Sequence, residues 1–169
     1  GVAYRLVGMF TLEEDAFWAP GAWAALGLTA GGAWTLSTNL HLEGPAALNL
    51  ASAVALMGGL TLFLGQLVHM YRHRRRRGID IHMPFALGAG IAGLAAAALL
   101  VAGLAQGQPA GSPLWIVAGW LAIAGFAETA IQGFFYKIAS FLVWLQHYAP
   151  LAGRQRVPKL EELYARRLA

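Results

Sequence analysis

The sequence predicts an all-α integral membrane protein: a four-helix bundle with both termini cytoplasmic and a C-terminal interfacial amphipathic helix extension. Three observations carry this expectation. Apolar residues make up 58% of the 169 positions and charged residues 12%, against about 45–50% and about 25% in soluble domains. The apolar excess is gathered into four long runs with little or no charge. All twelve Lys and Arg residues fall at the N-terminal end, in the 72–77 loop, or from Lys137 onward. A bilayer acting as solvent accounts for all three.

The absence of cysteine excludes disulfides, thiolate metal sites and thiol catalysis. The net charge of +4 does not point to nucleic acid, because the basic residues sit where apolar helices end.

Residues 1–19 read as the end of a preceding helix followed by a cytoplasmic loop. The opening GVAYRLVGMF starts mid-phrase, as the stump of a longer polypeptide would; a processed mature N-terminus is the alternative. In TLEEDAFWA (11–19), Thr11 and Glu14 fit a capping box, and three acidic residues keep the segment out of hydrocarbon.

The membrane bundle is expected over residues 20–148. The first span, about 20–40, is uncharged but rich in Gly, Thr and Ser. At about 1.5 Å per residue it reaches about 31 Å, just enough to cross. HLEGP (41–45) is a short polar turn. The second span, about 46–71, ends in Arg72, His73, Arg74, Arg75, Arg76 and Arg77, a block that cannot cross at about 2.5–3.5 kcal/mol per Arg. The third, about 84–105, is almost all Ala, Leu, Gly, Ile and Val, with Pro84 in a first-turn position.

The fourth span, about 114–136, follows Ser112 as N-cap and Pro113. Its helical pattern runs on to Tyr148, about 50 Å in all, so the helix must bend or leave a core about 30 Å thick. In the extension 138–148, Ile138, Phe141, Leu142 and Leu145 share one face, and Lys137, Ser140 and His147 largely another. Residues 149–169 form a soluble basic tail. With the 41–45 and 106–112 turns free of Lys and Arg, the positive-inside rule places both ends in the cytoplasm.

Glu128 is the most informative side chain for function. An acid near mid-membrane is costly unless neutral or paired, and such residues mark proton paths or polar networks. Nine residues above Lys137, it lies about 13 Å from the inner boundary. Thr29, Thr61 and Gln66 lie at similar depth, and Gln132 follows one turn later. Glu128 is expected to face the bundle and meet one of them. It then serves either as a proton-accessible acid or as interhelical glue. A second stripe on span two, Asn49, Ser52, Gly59 and Gln66, faces other helices, as ordinary polar packing would. Small residues such as Ala89 with Gly93, and Gly125 with Thr129 and Gly133, permit close helix approach.

Membrane bundles can hold haem between two imidazoles. His69 with His147 is the pair to test, although interfacial histidines are ordinarily solvated. Arg74, Arg75, Arg76 and Arg77 can bind anionic lipid headgroups at about 1 kcal/mol per residue, and as topology determinants they need no further role. No metal-ligating or phosphate-loop motif is present, and no catalytic residue is identifiable.

Three stretches carry a family resemblance. GVAYRLVGMF (1–10) resembles a helix end reading G-V-x-Y-R-L-V-P-M-F. YRHRRRRGIDI (71–81) resembles a basic loop closing on Leu-Asp or Ile-Asp. GFFYKIASFLVWLQHYAP (133–150) resembles G-x-x-Y-K-I-V-P-F-L-V-W-x-H. Together they look like the C-terminal part of uncharacterised bacterial multi-span proteins similar to haem-copper oxidase subunit I. The resemblance implies a respiratory, haem-linked setting in a bacterial cytoplasmic membrane, with haem as cofactor. Two departures stand out: prolines expected in these motifs are Gly8 and the Ala139–Ser140 pair here, and the family's histidine-rich helix has no counterpart in these residues. Three functions follow as alternatives. They are an oxidase-like haem-linked protein, a non-catalytic membrane subunit or assembly factor working with other membrane subunits, and a small proton-conducting module using Glu128.

Overall fold

The computed structural model describes residues 18–73, 82–109, 111–151, 155 and 157, and over these the chain is all-helical. Glu13, Glu14, Asp15 and Arg74 to Arg77 lie outside the described residues, as does most of the tail.

Helix α1 (Ala19–His41) opens with Pro20 in its first turn, where the missing N–H costs nothing. It closes on a tight turn in which Glu43 takes φ 51° and the Gly44 N–H donates to the Asn39 carbonyl at 2.9 Å. Helix α2 (Ala46–Arg72) starts directly after Pro45. Helix α3 (His82–Ala105) ends in a Schellman cap. The Gln108 N–H donates to the Gly103 carbonyl (2.9 Å) and the Gly107 N–H to the Leu104 carbonyl (3.1 Å), with Gly107 at φ 62°. A left-handed residue at this position is what makes glycine the natural choice.

The last helix is continuous over 35 residues, Pro113–His147, but not uniform. It comprises α4 (Pro113–Trp120), a π-helical segment (Leu121–Glu128) and α5 (Thr129–His147). Ser112 holds the N-cap position with extended ψ, yet its hydroxyl makes no capping bond. At the other end of the π segment the Thr129 hydroxyl donates to the Ala124 carbonyl, five residues back, at 3.2 Å. The side chain thereby takes up a carbonyl in the wider π geometry, in which the backbone bond runs i→i+5. No separate extension is split off after residue 137, because one helix carries residues 129–147 without interruption.

The helices pack in chain order, α1 on α2, α2 on α3, and α3 on α4, the π segment and α5. The small core of Ala22, Leu67, Met70, Met83 and Ala86 joins α1, α2 and α3. Three helices are long and apolar enough to cross a membrane: Ala46–Arg72, His82–Ala105 and Pro113–His147, with mean hydropathies of 1.8, 2.2 and 1.7. Helix α1 has the length, at 23 residues, but its Gly, Thr, Ser and Asn content keeps it outside that group.

The surface is inverted relative to a water-soluble protein. Trp34, Trp23, Phe135 and Ile131 are exposed, while Asn39, Asn49, His82 and Lys137 are buried. Apolar atoms outside and polar ones inside minimise free energy when the surroundings are hydrocarbon.

Candidate functional site: polar contacts within and outside the helix row

The α1–α2 seam carries the side-chain bonds that Asn39 and Thr35 make to the second helix. At its turn end, Asn39 Nδ2 donates to Asn49 Oδ1 at 2.6 Å and to the Pro45 carbonyl at 3.0 Å. One turn further, the Thr35 hydroxyl lies 2.9 Å from the Ser52 hydroxyl and 2.7 Å from the Gly31 carbonyl. Below this, the backbones almost touch. A Cβ on Gly32 would sit 2.7 Å from the Leu56 nitrogen and the Ser52 oxygen, and one on Gly59 2.6 Å from the Thr29 nitrogen. The stripe Asn49, Ser52, Gly59 and Gln66 therefore faces α1 along its whole length. Gln66 lies beside Gly21, where an added Cβ would come within 2.5 Å of its amide nitrogen. Both side-chain polar atoms of Gln66 are buried and make no hydrogen bond.

Thr29 stands over Gly59 and borders a cavity of about 140 Å³, lined otherwise by Ala25, Leu26, Leu60, Phe63 and Phe126. Phe126 belongs to the π segment and reaches the cavity past Gly93 of α3, whose missing side chain leaves room for the ring. Gly125 against Ala92 and Gly133 against Phe85 complete the close approach of the last helix to α3.

The residues expected to form one network are distributed over three places. Gln66 and Thr29 lie in the α1–α2 seam. Thr61 is exposed, and its hydroxyl donates to the Met57 carbonyl of its own helix at 2.8 Å. Glu128 does not face the bundle. It is exposed on the outer side of the last helix, where Oε1 accepts a bond from Gln132 Nε2 at 3.1 Å. The inward positions of this helix are Ala118, Gly133, Lys137 and Ser140. Glu128 falls off that stripe, and no residue of α1 or α2 bonds to it.

The histidines are likewise separated. The His69 ring lies 4.2 Å from that of His73, and the His73 Nδ1 is 2.9 Å from the His69 carbonyl. His147 is exposed at the end of α5, a helix whose neighbour in the row is α3. His69 lies beside His73 of its own helix, and His147 lies on the exposed surface of another. Among the described residues no group of three His, Asp or Glu side chains could hold a metal ion.

Sequence reasoning set Lys137 with Ser140 and His147 on a polar face and gave His82 no role. Lys137 and His82 are both buried at the α3–α5 contact, His82 with its ring 6.1 Å from that of Phe134. The signal was present: Gly133, Lys137 and Ser140 share one helical face, and Gly133 marks it as the packed one.

No protein-family model, curated protein or solved structure matches this chain.

Proposed function

We propose that the chain is a non-catalytic helical subunit of a bacterial cytoplasmic membrane, crossing it four times with both ends in the cytoplasm. α1 serves as the fourth span, admitted through its polar seam with α2. The observation that carries this reading is the last helix. It is long and apolar enough to cross, yet only 6% of its most apolar stretch is buried against its own chain. A helix with so much open surface, and with a carboxyl and an amide on it, suits a protein built to pack against further helices. Asn39 with Asn49 and Thr35 with Ser52 hold α1 to α2, as polar residues do in membrane bundles.

The oxidase-like reading rests on sequence resemblance. It would need His69 of α2 and His147 of α5 to meet, or haem ligands from elsewhere. The proton-conducting reading asks Glu128 to open inward, and it points outward.

Expression with ample haem, followed by mild detergent purification, tests the choice. The expected product stays in the membrane fraction, runs larger than one chain and shows no haem absorption band. A stoichiometric band would displace the subunit reading in favour of the haem-linked one.

A further inference from the structure

The outer face of the last helix carries Ile131, Phe135, Ile138 and Leu142 at three- and four-residue spacing, with Ile123 two turns before them, all exposed. Glu128 and Gln132 interrupt this apolar stripe. Their mutual bond uses one carboxyl oxygen and one amide hydrogen. The second carboxyl oxygen still accepts, and the amide retains its carbonyl and a second N–H. Lipid tails satisfy none of these, and an unmet polar group in hydrocarbon costs several kcal/mol.

We infer that a second copy of this chain covers the face, with the two last helices parallel and Glu128 and Gln132 hydrogen-bonding across a two-fold axis. This rests on the membrane-subunit reading. A protein partner of any other kind must offer a donor and an acceptor at one particular depth. A copy inserted in the same orientation places both there automatically, because identical residues lie at identical depth. The acid–amide pair is self-complementary, since the amide donates and both members accept. An isologous interface needs this self-matching and nothing else.

The chain has no cysteine, so single replacements report directly. Ile131→Cys, Phe135→Cys and Ile138→Cys, oxidised in native membranes, are expected to yield disulfide-linked dimers. Ile91→Cys, exposed on α3, serves as the control and stays monomeric. In lipid-dilution energy transfer, Glu128→Leu with Gln132→Leu should weaken association about tenfold or more. Glu128→Gln, which keeps donor and acceptor, should retain it. Failure of all three cysteines to crosslink in a protein still retained by the membrane overturns the dimer alone. So would capture of a different chain by those cysteines, or unchanged association of the double leucine variant. Release into aqueous extract overturns the membrane-subunit reading together with the dimer.

Discussion

Asn39 occupies the point where the α1–α2 hairpin turns, and its amide joins three pieces of chain: its own helix, the Pro45 carbonyl and the Asn49 side chain. Interhelical hydrogen bonds in membranes contribute about 0.6 kcal/mol on average and up to about 1.7. A double-mutant cycle with Asn39→Leu and Asn49→Leu is expected to give a coupling within that range, read from unfolding in mixed detergent. Zero coupling would assign the turn geometry to Gly44 and Pro45 alone. Gln66 is the contrasting case, with both polar atoms buried and unbonded. The spacing of Asn49, Ser52, Gly59 and Gln66 made the stripe legible in the sequence. Its partners Asn39, Thr35, Gly32 and Gly21 were not, because they come from a second helix whose rotation is set only by packing.

At the level of the elements, α1 and α2 are held at backbone contact by Gly32 and Gly59. Both meet main-chain atoms of the facing helix, which cannot swing aside as a side chain would. Overpacking of this kind costs about 1–3 kcal/mol. Gly59→Ala should therefore lower the unfolding midpoint by that order, while Gly58→Ala, whose Cβ would meet nothing within 4 Å, should not. Equal effects at both positions would mean that helix propensity, not the close approach, governs the seam. The π segment is the element whose form the sequence did not reveal. Residues 121–128 contain no proline and only one glycine, so no local signal distinguishes them from α-helix. The wider turn accompanies the seating of Phe126 against Gly93 and of Gly125 against Ala92.

Across the whole molecule, the row of helices leaves its two outer members unlike one another. α1 is the more polar, and its Thr35 and Asn39 bond to α2. The last helix is more apolar, and its acid points away. This asymmetry predicts how the protein enters a membrane. A reporter in the 106–112 turn should lie on the opposite side from one beside Arg74–Arg77, and a reporter in the 41–45 turn should share the side of the former. Truncation to α1 alone should impair insertion, since Thr35 and Asn39 would lose Ser52 and Asn49. Efficient insertion of isolated α1 would remove the seam from the explanation of the fourth span. A reporter at 41–45 on the basic side would remove the span itself.

By itself, the order of residues determined that the chain is helical and that several of its helices are apolar enough for a bilayer. Both follow from composition within a continuous stretch, and no distant residue is needed to evaluate them. The start of the last helix was legible for the same local reason, through Ser112 and Pro113. Only the tertiary structure decided which way each face turns. Glu128 and Gln66 look alike in sequence, each a polar residue within an apolar run. The side of the helix that meets a neighbour is set by where glycine lets two backbones close together. Gly59 and Gly21 draw Gln66 inward, and Gly133 turns Lys137 toward α3. Glu128, off the axis of that contact, is left on the outer surface.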